Sequence, residues 1–568
     1  MALAISQRLA MPEILGRVLA GRGVTPEEAE AYLDPKLATF LPDPSHLLDM
    51  DRAVDRLVQA IDANETLGIF GDYDVDGATS TALLHRFFRA LGVTVLVHIP
   101  DRQREGYGPN GPALRRLAEA GARVVVCVDC GVSAFAALEE ARTIGLQVIV
   151  CDHHEARTTL PPALAIINPK RLDETSPHPH LAAVGVAFLL AVGVNRRLRE
   201  IGWYTQKSVT PPDLMSLLDL VALGTVCDMV PLVGVNRALV RQGLKVMARG
   251  QRPGLVALAE VSGIKEALGT FHLGFLLGPR VNAGGRVGEA PMGEALLSCD
   301  DPVACLDMAR HLDAWNGARK DIENDVLLQA IEQVEGTPQE DVPLVFAQGQ
   351  DWHPGVLGIV ASRLKERYNL PACALALEGG YAKGSGRSVT GIDLGRVIIA
   401  AREAGLLEAG GGHAMAAGFT VAEDKIPAFR AFLGQRLAEQ QAQGGVEPVV
   451  ELDGLLDVQG ATPDLVRLLE RAGPFGNGNP EPRFAIARAR IVKSDIVGLG
   501  HVRCVLSGPS GGSLKAMAFR SADSEIGQTL LTARGDTVHV VGTLRPDTWQ
   551  GRDGVQLLIE DVVRVGFG

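Results

Sequence analysis

Four short apolar runs, at 67–70, 94–98, 123–128 and 147–151, alternate with helix-length stretches at 78–91, 112–120 and 134–144. Each helical stretch is followed by a glycine: Gly92, Gly121 or Gly145. Strand, loop and helix recurring at this interval admit few folds, and a doubly wound parallel sheet is the expected one. Such sheets carry their sites at the carboxyl ends of the strands. There this chain concentrates polar residues. The first run opens into GDYDVDGA with Asp72, Asp74 and Asp76, the third closes on Asp129, and the fourth on Asp152, His153 and His154. A later helical segment, 214–223, leads into GTVCDMVPL and presents Asp228. Any one of these aspartates reads adequately as a helix cap or turn residue. Four separate segments converging on one sheet edge do not.

Carboxylates so crowded repel one another unless a cation lies between them. Aspartates with one or two imidazoles and no thiolate suit manganese or magnesium better than zinc. The set exceeds what one ion can use, so two ions sharing a bridging carboxylate, Asp129, are expected. Paired ions suit in-line displacement at phosphorus.

At 568 residues the chain is too long for one core. Residues 1–50 are expected to form an N-terminal helical segment and 51–302 the catalytic domain. A long charge-laced helix over 303–336 connects it to a smaller α/β domain at 337–440 that binds substrate. The short alternating runs of 449–568, punctuated by glycine turns, suit an OB-like β-barrel. Breaks are expected at 336–343 and in the polar patch AEQQAQGGVEP. The fold class is thus multidomain α/β with a C-terminal barrel.

A net charge of −12 does not advertise nucleic-acid binding, but only a local basic groove is needed. Arg483, Phe484, Arg488, Arg490, Lys493, His501, Arg503 and Lys515 give the tail a basic bias, expected to be the DNA-holding face of the barrel. Trp352 reads equally as a stacking platform or a buried side chain. Eight cysteines lie in apolar contexts, and Cys127 and Cys130 form a C-x-x-C inside a strand pattern. Buried thiols in a reducing cytoplasm fit better than a zinc or redox site. The start, MALAISQRLAMPEILGR, lacks a secretory apolar core, and no run reaches the roughly 20 apolar residues that cross a bilayer. No membrane partner is expected.

The segments GDYDVDGATS, VCVDCG, VCDHHE and GTVCDMVPL resemble the successive motifs of the DHH phosphoesterase superfamily, and GGGHAMAAGF resembles its DHH-associated second domain. IPDRQREGYG, GPRVNAGGRVGEA, WHPGVLGIVASRL, GSGRS and GPFGNGNPEPRF are similar to RecJ-type single-strand-specific exonucleases. The resemblance covers nearly the whole chain. It implies that Asp76, Asp129, His153 and Asp228 hold one metal, while Asp72 and Asp74, with Asp129 shared, hold a second. His154 then contacts the scissile phosphate beside the catalytic Asp74, Asp76 and Asp129, and Asp152 orients a histidine. Arg102, Ser385 and Arg387 bind a 5′ phosphate, and His413 faces the nucleotide near the cut. Arg280, Asn282 and Arg286, read as part of a glycine-rich loop, contact phosphates.

The function implied is 5′-to-3′ exonuclease action on single-stranded DNA, releasing 5′-mononucleotides in DNA repair and recombination, with two Mn2+ or Mg2+ ions. A monomer working with a RecQ-type helicase and a single-strand binding protein is the implied setting. The alternatives are a DHH phosphodiesterase on short oligoribonucleotides or cyclic dinucleotides, a pyrophosphatase, or a non-catalytic replication scaffold. A long binding track argues against tiny substrates, and intact ligands argue against a scaffold.

Overall fold

The computed structural model describes residues 1–102, 104–336, 342–443, 449–547 and 554–565. The expected break at 336–343 lies largely outside the described residues, and in AEQQAQGGVEP residues 438–443 still belong to the helix Ile426–Gln443 while 444–448 also lie outside the described residues. Three sheets organise the chain. The first holds β1 (Leu67–Phe70), β2 (Val95–His98), β3 (Val124–Val128), β4 (Gln147–Cys151) and β5 (Ala165–Ile167). All five are parallel in the order β2-β1-β3-β4-β5. β1 and β3 are buried at every residue, as the unbroken apolar runs require of strands covered on both faces. After β1 the chain turns to β2 on one side, then crosses to β3 on the other. The crevice between the carboxyl ends of β1 and β3 is therefore the topological switch point, where open α/β sheets bind ligands. β5 is the one strand of this sheet not anticipated; with three residues it is too short for a clear pattern.

The helix Pro302–Gly336, 35 residues long, runs from this domain to a second sheet. That sheet comprises β6 (Val345–Gln350), β7 (Ala372–Glu378), β8 (Tyr381–Arg387), β9 (Ala409–His413) and β10 (Ala416–Ala422), in the order β6-β7-β8-β10-β9. The triple glycine 410–412 ends no helix; it lies in the edge strand β9.

The third sheet holds β11 (Gly454–Leu455), β12 (Arg483–Val497), β13 (His501–Gly508), β14 (Gly511–Ala518), β15 (Thr537–Asp547) and β16 (Gly554–Arg564). A second pairing, β12 with β15, closes it into a barrel. Alternation along β12 turns Phe484 inward, where it is fully buried, so it belongs to the core and not to a DNA face. The basic bias is also largely self-paired. Arg483 meets Glu560 at 2.6 Å, Lys515 meets Asp547 at 2.6 Å, and Lys493 and Arg503 share Asp495.

The first 50 residues do not act as one segment. Ile5, Leu15, Val18, Leu19, Ala29 and Leu33 pack into the barrel core, and Arg22 pairs with Asp453 at 2.8 Å. Leu47 and Met50 join the core of the parallel sheet instead. That these stretches are helical is a local property, but which distant partner covers them is not. No helix among the described residues is long and apolar enough to cross a membrane.

Candidate metal centre

The turn after β1 is shaped by close packing. A Cβ at Gly77 would lie 2.5–2.7 Å from the Asp72 backbone, so only glycine lets the helix Val75–Ala90 start so soon after the strand. Asp74 caps that helix, accepting from the Gly77 N–H at 3.0 Å. Asp72 accepts from the Tyr73 N–H at 2.8 Å. Asp76, in the first turn of that helix, is 1 % exposed and accepts from two backbone amides, Ala183 at 2.7 Å and Val184 at 2.9 Å. Those amides open the helix Ala183–Glu200, whose N-terminal dipole favours the negative charge.

Asp129 follows β3 with φ +59°, a left-handed conformation that aspartate tolerates better than most residues and that is often stored at sites. Its Oδ1 is buried without a hydrogen-bond partner, as is Oδ2 of Asp228. His153 Nε2 is equally unpartnered, although Asp129 lies 3.3 Å away, Asp228 3.6 Å and Asp76 3.9 Å. Burial and the neighbouring His154 push the His153 imidazolium down to about 3, so the ring is neutral, the form that ligates metal.

Burial, with the charge of neighbouring aspartates, raises the carboxyls of Asp72, Asp76, Asp129 and Asp228. Asp76 is lifted to about 7 and Asp228 to about 9. The protein leaves a concentrated negative charge uncompensated, and a divalent cation is the group that would relieve it. Donor atoms of Asp76, His153 and Asp228 lie within 4.8 Å of one another, as do those of Asp72, Asp74 and Asp129. Neutral imidazole, free carboxylate oxygens and no thiolate among these groups fit Mn2+ or Mg2+. The residues present fit two such pockets side by side, with Asp129 next to both.

His154 is held differently. Asp152, 1 % exposed, accepts from His154 Nδ1 at 2.7 Å, from the His153 N–H at 2.7 Å and from the Val132 N–H at 3.0 Å. Burial opposes the Asp152 charge, but the His154 bond overcomes it and lowers the carboxyl to about 2. Burial likewise opposes the His154 cation, and the Asp152 bond overcomes that too, raising the imidazolium. Tyr107, to which the sequence assigned no role, lies with its hydroxyl 3.3 Å from the His154 ring and donates to the Asp129 carbonyl at 3.2 Å. Asn168, fully buried beyond β5, donates to the His154 carbonyl at 2.9 Å. Neither announces itself in a single sequence, because the contacts are made across loops.

A cationic cluster lies beside the Asp72–Asp74 turn. Arg102 stacks over the Tyr73 ring at 5.3 Å. Burial and then Arg102 lower the guanidinium pKa of Arg286, to about 10, and of Arg387. Arg387 donates to Ser385 Oγ at 3.1 Å, both on β8. Arg387 and His413 stand opposite the same β10 residue, Ala416, so they share one face of the second sheet. Arg286 reaches across to the second domain, donating to the Gly355 carbonyl at 2.8 Å.

The loop expected for Arg280, Asn282 and Arg286 is the helix Gly278–Val287. Its glycines serve packing: a Cβ at Gly285 would lie 2.8 Å from the Tyr73 carbonyl. Arg280 is 9 % exposed and tied to Asp313 of the long helix at 2.9 Å, so it braces that helix and is not brought to the phosphate cluster. Asn282 is half-buried on the same helix. Trp352 is 5 % exposed and donates to Gln329 at 2.9 Å, which makes it packing and not a stacking platform. All eight cysteines are free thiols, six of them buried.

Residues 66–225 match the DHH family, N-terminal domain; 341–439 match the DHHA1 domain; 452–561 match the RecJ OB domain. The chain is 39 % identical over 565 residues to a single-stranded-DNA-specific exonuclease RecJ of Dickeya dadantii, covering 97 % of this chain and 96 % of the relative. It is 38 % identical to that of Escherichia coli, covering 89 % and 88 %. The crystal structure of RecJ in complex with Mn2+ from Thermus thermophilus superposes with a TM-score of 0.81 at 30 % identity, covering 100 % of this chain and 78 % of the other.

Proposed function

This chain belongs to the RecJ family of single-stranded-DNA-specific exonucleases, and from that membership we propose that it degrades single strands from the 5′ end. It is a metal-dependent hydrolase of single-stranded DNA. The finer reading is that it releases 5′-mononucleotides in DNA repair and recombination. The observation that carries the polarity is the half-buried pair Arg286 and Arg387, with Arg102, immediately beside the carboxylate cluster. Desolvated guanidinium groups with so little counter-charge make a fitted seat for a terminal phosphate.

In this reading Asp76, Asp129, His153 and Asp228 hold one ion, and Asp72, Asp74 and Asp129 the other. Divalent ions bound there lower the pKa of an attacking water and offset charge on the phosphoryl oxygens. His154, its cationic form favoured by Asp152, donates from its remaining ring nitrogen to the scissile phosphate. Ser385 and Arg387 hold the 5′ phosphate, so the first phosphodiester falls at the carboxylates. His413, on the same sheet face as Arg387, steadies the nucleotide to be released. The barrel and second sheet extend the track along the strand. A RecQ-type helicase that unwinds duplex and a single-strand binding protein that covers the product are the partners this activity calls for, in the cytoplasm.

The test is a long single strand labelled at either end. A 5′ label should leave first, as a mononucleotide, and faster when phosphorylated. Earlier loss of the 3′ label would refute the polarity, and faster turnover of dinucleotides would favour a short-substrate phosphodiesterase.

A further inference from the structure

Asp228 is held differently from the three carboxylates that follow β1. Asp72, Asp74 and Asp76 each accept backbone N–H bonds, whereas Asp228 Oδ2 is buried without one. Its position therefore depends on its turn. Asp228 ends the helix Leu218–Cys227, and the next residue, Met229, takes φ +63°, a conformation costly for that side chain. Something outside the turn has to hold it.

The contacts come from the barrel side of the molecule. Asn477 donates from Nδ2 to the Met229 carbonyl, and its own carbonyl accepts the Leu232 N–H at 2.7 Å. One residue thus clasps both ends of the segment that follows Asp228. Its neighbours press on the same segment: a Cβ at Gly478, where φ is +70°, would meet Pro231 Cβ at 2.8 Å, and one at Gly476 would meet Leu232 at 2.7 Å. The loop itself is stiff. Asn479, fully buried, donates to the carbonyls of Ala472 and Pro474 and accepts from the Tyr32 hydroxyl at 2.9 Å. Arg237 of the catalytic domain stacks on the Tyr32 ring at 4.0 Å and donates to the Gly473 carbonyl at 2.6 Å.

We propose that the loop 473–480 is the positioning element of Asp228, so that docking of the C-terminal barrel strengthens metal binding in the pocket of Asp76, His153 and Asp228. Asn477 touches neither metal nor DNA in this role; it acts through the Met229 turn. The inference rests on the assignment of Asp228 as a ligand.

The test is Mn2+ titration of the full chain without DNA, followed by the EPR signal of free Mn2+. Asn477→Ala removes the side-chain half of the clasp, the bond to the Met229 carbonyl, and Gly478→Ala pushes the loop off Pro231 without altering any ligand. Each should weaken one class of Mn2+ site about tenfold, the scale of outer-shell substitutions, and leave the other class unchanged, with a fall in metal-free melting temperature no larger than the strained turn accounts for. Cleavage by either variant should fall at limiting Mn2+ and recover at saturating Mn2+, with KM for single-stranded DNA unaltered. Titrations that superpose on the parent protein, or an equal weakening of both classes with a lowered melting temperature, would overturn the proposal. Asp228→Asn separates it from its premise. Loss of one class there, with Asn477→Ala unchanged, sinks the positioning role alone. Two intact classes in Asp228→Asn would remove Asp228 from the metal site altogether.

Discussion

The carboxylate cluster at the switch point and the arginine cluster beside it are opposite solutions to the same problem. Each concentrates one sign of charge, the acids in a largely buried place and the arginines in a half-buried one that opens at Arg102, and each leaves it largely uncompensated by the protein. The acids answer by rising in pKa, Asp228 to about 9; the guanidinium groups answer by falling, Arg286 to about 10. They adjoin, since Arg102 stacks on Tyr73 between Asp72 and Asp74, yet neither neutralises the other. A structural ion-pair network would have interleaved them, as the barrel does with Lys493, Asp495 and Arg503. Keeping the charges apart leaves one pocket for cations and one for an anion, which is what a phosphodiester end held against metals requires.

The comparison breaks most visibly at Asp129, which stands next to both metal pockets. Asp129→Ala should lower cleavage by at least about a thousandfold. The metal-free melting temperature should hold or rise, because a repelled buried carboxylate is gone; retained cleavage would dismantle the site. Next, Mn2+ at about 100 times its dissociation constant should stabilise the parent protein by about 2.7 kcal/mol per site, measured by denaturant titration against a chelated sample. Asp129→Ala should forfeit most of that gain. On the anion side, Arg387→Ala should reduce the preference for a 5′-phosphorylated end by about 10- to 100-fold, the scale of a lost charge-assisted bond, while Mn2+ affinity is unchanged. An unaltered end preference would strip Arg387 of its role. Arg280→Ala should cost about 1–3 kcal/mol of stability through the bond to Asp313 and leave end preference alone. Smallest of all, Lys493→Ala should change single-strand affinity by no more than about 0.5 kcal/mol, because that lysine is already paired at the surface.

Much of the centre was legible in the chain. Asp72, Asp74, Asp76, Asp129 and His153 follow strands whose apolar runs are short and unbroken, and the parallel sheet they predict has only one switch point at which to gather them. Asp228 came from a helix end and was still recognisable by its turn and proline. The arginines were harder. Arg280 and Arg286 stand six residues apart in one glycine-rich motif, and nothing local says that one braces a helix while the other faces the cluster. Glycines at 284, 285 and 288 suggested a loop because composition cannot separate glycine used for a turn from glycine used for close helix packing. Phe484 was misplaced for a similar reason: its charged neighbours suggested a surface, while strand alternation put it inside.

The sequence by itself determined the parallel sheet, the long helix, the barrel strands and the acidic strand tips, because hydrophobic period and turn chemistry are local properties. Only the tertiary structure decided which faces meet. It put the first 33 residues on the barrel, tied His154 to Asp152, brought Tyr107 to the ring, and set Asn477 against the turn that carries Asp228. Each of these joins residues whose own segments look complete without the other. Such contacts follow from shape and charge across space, and no periodicity along the chain encodes them.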